Sequence, residues 1–133
     1  MTVTTRLKDT VIDARHAPSP ARFRATVLGH EVAPYPEEDL RFVAERGLTP
    51  DTDTEVMVVP PDGADGPPLI VDQVPEPKAT ENRIHLDVRL PGPDVGPLVG
   101  LGATVLRAPD EEIDRWVVAD PEGDEFCAFP ARS

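Results

Sequence analysis

Short stretches in which apolar and polar residues alternate recur along the chain and predict strands. Proline and glycine bound most of these stretches, and both residues favour turns over continued strand. The stretches cover 10–15, 30–33, 54–59, 69–74, 83–90, 103–107 and the two arms of 116–129. We therefore expect eight short strands in a chain that is rich in sheet.

A first helix is predicted at 21–28, between the first two strands. Ser19 is a suitable N-cap, and Pro20 suits the first helical position because its ring already holds a helical φ. Gly29 follows as a C-cap, where glycine adopts a left-handed conformation without strain. Pro18, just before Ser19, is expected to lie outside the helix.

Two further helices are expected, one in each half of the chain. The first covers 36–46, with acidic residues in its first turn and an arginine in its last, as the helix dipole favours. The second covers 95–101, and Gly96 and Pro97 weaken it.

The order of these elements repeats. Each half reads β-α-β-β-β, and the first half carries one extra helix. The fold class is therefore α+β, a single domain over 1–133 with module one at about 9–75 and module two at about 82–129. The second module closes with a turn at 120–123, whose proline and glycine suit type I geometry. The matched segments are 12–15 with 86–89, 28–29 with 101–102, and 58–63 with 118–123.

Charge narrows the classes of partner. The formal net charge is −12, so a nucleic acid or an anionic membrane would be repelled, and neither is expected as a partner. The single cysteine excludes an internal disulfide and suits a reducing cytoplasm. Residues 1–10 contain no apolar signal segment, and no apolar run reaches the ~18 residues of a membrane span. We expect a cytoplasmic protein.

A family resemblance is carried by the segments 61–63, 74–78, 82–88, 102–106 and 116–127. They are similar to glyoxalase-like proteins of the vicinal oxygen chelate superfamily, and most similar to its small actinobacterial members. The resemblance covers about residues 9–129. It implies two βαβββ modules whose mixed sheets curl into an open barrel around a cleft, usually in a homodimer.

Alternation places polar side chains on the strand faces predicted to line this cleft. Side chains two residues apart in a strand point to the same side. The opposite face of the fifth strand, with Ile84, Leu86 and Val88, is apolar and is expected to pack on the helix. The predicted cleft residues are His85, Asp87 and Arg89 (fifth strand), Glu125, Cys127 and Phe129 (last), Ile70, Asp72 and Val74 (fourth), and Val11, Asp13 and Arg15 (first).

Roles follow from this placement together with the resemblance. His85, Glu125 and Asp87 are the candidate acid and base groups. The candidate ligand-binding residues are Asp13, Arg15, Arg89, Trp116 and Phe129.

The resemblance also implies a divalent metal held by one ligand from each of four strands. His85, Asp72 and Cys127 are the candidate ligands for Zn²⁺, Ni²⁺ or Fe²⁺. A one-residue slip would put Val71 in place of Asp72. On the first strand, the counterpart of His85 is Val11, which cannot ligate, or Asp9 if the first loop has a different gap. An incomplete set would leave a weak site or none, with His85 a hydrogen-bonded structural residue and Cys127 an inert buried one.

Two function classes remain open. The first is a lyase or isomerase that acts on a small oxygenated metabolite in the cleft. The alternative is a protein of the same fold that binds an antibiotic or metabolite without turnover. An acidic cleft would suit a cationic ligand, with Trp116, Phe126, Phe129 or Tyr35 available to stack on it. A regulatory module acting on a protein partner is a third, weaker interpretation.

Overall fold

The computed structural model describes residues 7–62, 64–82 and 84–132. The chain divides into two compact units, Met1–Glu76 (unit 1) and Pro77–Ser133 (unit 2). Unit 1 contains β1 (Thr10–Ala14), α1 (Pro18–Leu28), β2 (Glu31–Val32), α2 (Glu37–Glu45), β3 (Glu55–Val59) and β4 (Leu69–Gln73). Unit 2 contains β5 (Asp87–Arg89), α3 (Gly96–Gly100), β6 (Thr104–Arg107), β7 (Trp116–Ala119) and β8 (Glu125–Phe129).

The two units share one sheet topology. The strand order is β1-β4-β3-β2 in unit 1 and β5-β8-β7-β6 in unit 2. In each sheet the first strand pairs in parallel with the last, and the other pairs are antiparallel. This confirms the α+β class, the β-α-β-β-β repeat and α2 as the extra helix. Over the residues that the structure describes, each sheet has four strands and does not close on itself.

The core of unit 1 lies between α1 and one face of its sheet. Three small side chains, Ala17, Ala21 and Ala25, recur every fourth residue and are buried, so the helix backbone can approach the strands closely. Val58 and Val71 in the facing strands are fully buried against this cluster. The apolar alternation of β3 and β4 therefore selects which face of the sheet receives the helix.

Helix α1 begins earlier than its sequence pattern suggests. It starts at Pro18, its N-cap position is Ala17, and no side chain caps it, so the predicted cap at Ser19 is wrong. Pro18, which was expected to lie outside the helix, instead belongs to its first turn, where backbone N–H groups have no helical partner to lose. Ser19 bonds His16, with 2.9 Å between Oγ and Nδ1. Gly29 ends the helix at φ 66°, as predicted.

In unit 2 the buried apolar side chains come from the central strands. Phe126, Val118 and Ala128 have no exposed surface, and Leu98 of α3 is also buried. The residues of β8 thus alternate as predicted, with Phe126 and Ala128 on the core side and Glu125, Cys127 and Phe129 on the other.

Strand β5 is much shorter than predicted. It covers Asp87–Arg89, and Leu86 still accepts a hydrogen bond from the backbone N–H of Cys127 at 3.0 Å. Ile84 is 82% exposed, so the predicted apolar face that included it does not pack on a helix. Continuing the parallel register would put His85 opposite Glu125, but the Glu125 carbonyl accepts a hydrogen bond from Asn82 Nδ2 at 3.0 Å. Arg83 lies outside the described residues, as does Gly63 of the first-half turn.

The turn of the second hairpin is built around a buried aspartate. The N–H of Gly123 donates to the Asp120 carbonyl at 2.9 Å, which closes the predicted four-residue turn. The Asp120 carboxylate accepts from the N–H groups of Glu122 at 2.9 Å and Asp124 at 3.0 Å. Gly123 has φ 89°, a conformation that favours glycine. Asp120 thus acts as an Asx-turn residue as well as the first residue of the turn.

The strand pairing shows which residues of the two repeats are equivalent. The Leu-Gly pairs at 28–29 and 101–102 precede β2 and β6 by the same spacing, so the valines four residues after each leucine are equivalent. Each of these valines pairs with a fully buried valine in the next strand, which in turn pairs with a buried residue of the last strand. These sets are Val32, Val58 and Leu69 in unit 1, and Val105, Val118 and Phe126 in unit 2.

This register settles the counterpart of His85 in the first repeat. Val11 pairs with the residue after Leu69, and Asp87 pairs with the residue after Phe126, so Val11 and Asp87 are equivalent. Asp9 and His85 each lie two residues earlier. Asp9 is therefore the counterpart of His85, and the letter match of 12–15 with 86–89 is displaced by two residues.

No helix among the described residues is long and apolar enough to cross a membrane.

Replacing Phe126 with alanine should lower the free energy of unfolding by about 3–5 kcal/mol, because a fully buried ring is lost and a cavity remains. Leu106, which is 54% exposed on β6, is the matched control, and its replacement with alanine should cost about 0.5 kcal/mol or less. Urea unfolding measures both values. Similar losses from the two variants would contradict this description of the unit 2 core.

Candidate functional site

Five of the predicted site residues lie on one face of the unit 2 sheet. Asp87 pairs directly with Cys127, and Arg89 pairs directly with Phe129, across the parallel β5–β8 ladder. Glu125 belongs to the same face because it lies two residues before Cys127 in β8. We call this surface the unit 2 polar face; it consists of Asp87, Arg89, Glu125, Cys127 and Phe129. The opposite side of β8 carries the buried ring of Phe126.

Two arginines approach one aromatic ring on the unit 2 polar face. The guanidinium carbon of Arg89 lies 5.5 Å from the centroid of Phe129, and that of Arg115 lies 5.7 Å from it. Continuing the antiparallel β7–β8 register by one residue puts Arg115 opposite Phe129, so the three side chains form a row across three strands. Both contacts are in the range of a cation–π interaction.

Each guanidinium in this row is also held by a hydrogen bond. Nη1 of Arg89 donates to the Pro130 carbonyl at 2.9 Å, and Nη1 of Arg115 donates to Asp114 at 3.1 Å. Hydrogen bonds to Asp114 and to the Cys127 thiol raise the pKa of Arg115. Arg115 was not among the site residues predicted from the sequence, although the alternation of β7 extended back by one residue would have placed it opposite Phe129.

Glu125, a predicted acid or base, is held by an ion pair. Lys78 Nζ lies 2.7 Å from its Oε1, and the N–H of Asn82 donates to its Oε2 at 3.3 Å. Its side chain is 15% exposed. Burial would raise the pKa of Glu125, but the hydrogen bonds from Lys78 and Asn82 lower it below its ordinary value. The carboxylate is therefore kept ionised and is committed to Lys78, which weakens its case as a proton donor.

His85 does not lie in a strand. It precedes β5 and is exposed, and its Nε2 donates to the Asn82 carbonyl at 3.1 Å. Asn82 in turn donates through Nδ2 to Asp124 at 2.7 Å and to the carbonyl of Glu125 at 3.0 Å. His85 and the β7–β8 hairpin are thus linked through one asparagine. The expected strand position of His85 is wrong, because β5 starts two residues later.

Trp116 lies on the other side of the unit 2 sheet from Phe129. It pairs with Ala128, which shares the face of the fully buried Phe126. Cross-strand partners point to the same side of a sheet, so Trp116 belongs to the core side. The predicted use of Trp116 beside Phe129 as a stacking residue is therefore not supported within unit 2.

The remaining candidates lie in unit 1. Asp13 pairs with Asp72 across β1 and β4, and Glu55 pairs with Asp72 across β3 and β4. Three carboxyl groups thus form a row across three strands, where like charges repel. Burial, together with the charge of Asp72 and a hydrogen bond to it, raises the pKa of Glu55. Arg15 follows β1 and is exposed, one residue beyond the strand in which it was predicted.

The predicted metal ligands are divided between the two units. Asp72 belongs to unit 1, whereas His85 and Cys127 belong to unit 2. Among the residues that the structure describes, no group of three or more His, Cys, Asp or Glu side chains is arranged to hold a metal ion. Neither unit by itself therefore supplies a fitting donor set. The three-residue set stays a prediction.

Comparison with known proteins identifies the wider group. The family model of the glyoxalase-like domain matches residues 9–129. The chain is similar to the solved fosfomycin resistance protein FosX from Mesorhizobium loti, with 14% identity, a TM-score of 0.60, and coverage of 96% of this chain and 92% of that one. No curated protein matches the chain.

Two further solved structures have the same fold. One is a glyoxalase/bleomycin resistance protein/dioxygenase family enzyme from Burkholderia phytofirmans, with 16% identity, a TM-score of 0.57, and coverage of 91% of this chain and 94% of that one. The other is protein ATC0852 from Agrobacterium tumefaciens, with 16% identity, a TM-score of 0.62, and coverage of 98% and 100%. Identities this low show a shared fold and leave the reaction of this chain open.

Replacing Lys78 with glutamine should raise the pKa of Glu125, since the lysine lowers it while burial opposes that effect. In the wild type, the lowered pKa stabilises the fold fully above the ordinary value of 4.5. That stabilisation is lost as the pH falls through the lowered pKa. The Lys78 variant should therefore show a weaker loss of stability in this acidic range.

A carbon-detected NMR titration of the Glu125 carboxyl group measures this change. Lys8→Gln is the matched control, because Lys8 pairs with Asp9 in unit 1. An unchanged Glu125 titration in the Lys78 variant would show that the ion pair does not control this carboxyl group.

Proposed function

Because this chain belongs to the glyoxalase-like domain family, we propose that it binds a small oxygenated metabolite carrying a carboxylate on the unit 2 polar face. One observation carries the proposal: Arg89 and Arg115 approach the same Phe129 ring at 5.5 and 5.7 Å. Two planar forks of N–H donors thus lie beside an apolar surface. This combination suits a small molecule with oxygen atoms at one end and carbon at the other.

The charge of the whole chain makes this local arrangement notable. A protein with a net charge of −12 repels anions at long range, so an anionic ligand needs a local cluster of cations. Arg89 uses Nη1 for Pro130, and Arg115 uses Nη1 for Asp114. A guanidinium has five N–H donors, so each arginine can contact a carboxylate while keeping these anchors.

Asp87 is the group that we propose as the acid and base of an isomerase-type reaction. It is exposed, lies two residues before Arg89 on the same face of β5, and pairs with Cys127 of β8. Its carboxylate would take a proton from the carbon beside the ligand carboxylate and return it to a neighbouring atom. Arg89 and Arg115 would stabilise the negative charge that develops on the ligand oxygen atoms during this transfer. The transfer needs no co-reactant.

Binding without turnover is the second candidate function. The observation that favours it is the commitment of Glu125 to Lys78 and Asn82, which removes one of the three predicted acid and base groups. The hydrogen bond from His85 to the Asn82 carbonyl engages a second group. A protein that only sequesters its ligand would need the arginines and Phe129 but not Asp87.

Arg115→Gln should weaken the binding of small hydroxy- and keto-carboxylates at least about tenfold, since a charge-assisted hydrogen bond is worth about 1.5–3 kcal/mol. The probes are glycolate, pyruvate and 2-oxoglutarate, and calorimetry measures their affinities. Lactamide, which has no carboxylate, should bind no better to the wild type than to the variant.

The matched control is Arg22→Gln, which removes an arginine paired with Asp51 on the surface of unit 1. It should leave carboxylate binding unchanged. Equal losses in the Arg22 and Arg115 variants would indicate general electrostatics, and the absence of binding by every carboxylate would overturn the proposal.

Asp87→Asn should preserve carboxylate affinity within about twofold and lower the rate of proton exchange into the bound ligand at least about a hundredfold. NMR detection of deuterium incorporation from heavy water measures that rate. Asp94→Asn, outside the unit 2 polar face, is the control. Wild-type protein that binds a carboxylate but exchanges no ligand proton would favour sequestration over catalysis.

A further inference from the structure

A cavity of about 420 Å³ lies in unit 1, beside the helix that the repeat does not require. Its volume falls in the range of roughly 300–1,000 Å³ that small-molecule pockets occupy. Helix α2 forms one wall, and β3, the two residues before it and the segment before α2 form the rest. The lining includes Tyr35, Asp39, Phe42, Arg46, Asp53 and Met57.

The polar wall of this cavity is negative. The hydroxyl of Tyr35 donates to Asp53 Oδ2 at 2.7 Å, and Asp53 Oδ1 accepts the backbone N–H of Thr54 at 2.7 Å, so the carboxylate is held in place. Burial, the hydrogen bond to Asp53 and the charges of Asp53 and Asp39 all raise the pKa of Tyr35. The phenol therefore stays neutral, and the local field opposes an added negative charge.

The apolar wall already carries a cation on its aromatic ring. The guanidinium carbon of Arg46 lies 3.6 Å from the centroid of Phe42, which is well within the distance of a cation–π contact. Phe42 is 55% exposed, and Arg46 follows the last residue of α2. The ring thus presents a face that accepts positive charge, and the chain's own arginine occupies that face.

We propose that this cavity binds a small organic ammonium ion, either a quaternary ammonium or a protonated amine. Asp39 and Asp53 supply the countercharge, the Phe42 ring contacts the cation, and Met57 and Tyr35 contact its carbon substituents. The Arg46 guanidinium acts as an internal competitor that the ligand displaces from Phe42. The proposal concerns unit 1 alone and does not depend on the function proposed for unit 2.

The test uses phenyltrimethylammonium as the cation, with tert-butylbenzene as its neutral isostere and benzoate as an anion. Calorimetry and amide chemical-shift mapping on the full chain measure affinity and location. We expect the cation to bind with shifts at 33–57, and to bind at least about tenfold more tightly than the other two probes. Equal binding of the isostere, or shifts confined to unit 2, would overturn the proposal.

Three variants with a matched control identify the groups responsible. Asp39→Asn should weaken cation binding about fivefold or more, and Phe42→Leu about threefold. Arg46→Gln should strengthen it about threefold, because the internal competitor is lost. Glu38→Gln removes the same charge from the first turn of α2 but does not line the cavity, so it should change affinity less than twofold.

The Arg46 variant separates this proposal from simple charge attraction. If the gain came only from the loss of a positive charge near an acidic surface, Arg41→Gln on the same helix would strengthen cation binding as much as Arg46→Gln does. Equal gains from Arg41 and Arg46, or equal losses from Asp39 and Glu38, would overturn the proposed site. Wild-type amide spectra in each variant establish that the fold is retained.

Discussion

The structure depends on the position of the last strand of each unit. Both β4 and β8 pair in parallel with the first strand on one side and antiparallel with the third strand on the other. A strand that pairs on both sides has its register set twice, so the face on which each side chain lies is fully determined. The apolar set then takes the core side, and the polar set is left on the other.

This constraint gives the two units chemically different polar faces. In unit 1, Asp13, Asp72 and Glu55 pair across three strands. The equivalent positions of unit 2 hold Arg89, Phe129 and Arg115, and Arg115 lies one residue before β7. One topology therefore presents a row of acids in one copy and a row of guanidinium groups around an aromatic ring in the other. The family fold specifies where the rows lie, and the individual residues decide which ligand charge they accept.

Much of the fold could be predicted because apolar periodicity is a local property. The sequence of strands and helices along each half, the extra helix, the Gly29 cap and the 120–123 turn all follow from neighbouring residues. The incorrect predictions concern the ends of elements, whose position depends on contacts with other parts of the chain. The fifth strand is short where the Asn82 side chain bonds the Glu125 carbonyl, and α1 includes Pro18, which its first turn tolerates. The candidate site was predicted in part, since alternation grouped Asp87 with Arg89 and Cys127 with Phe129.

The sequence by itself determined the repeat, the faces of the central strands and the resemblance to the glyoxalase-like family, because each depends on residues close together in the chain. Only the tertiary structure decided which side chains meet. Lys78 and Glu125 are far apart in sequence, and no periodicity links them. Arg89 and Phe129 are also far apart in sequence, and they meet only through the β5–β8 ladder. Contacts of this kind depend on strand register and loop closure, which join distant segments. The ion pair of Glu125 with Lys78 and the approach of two arginines to Phe129 could therefore be identified only in the folded chain.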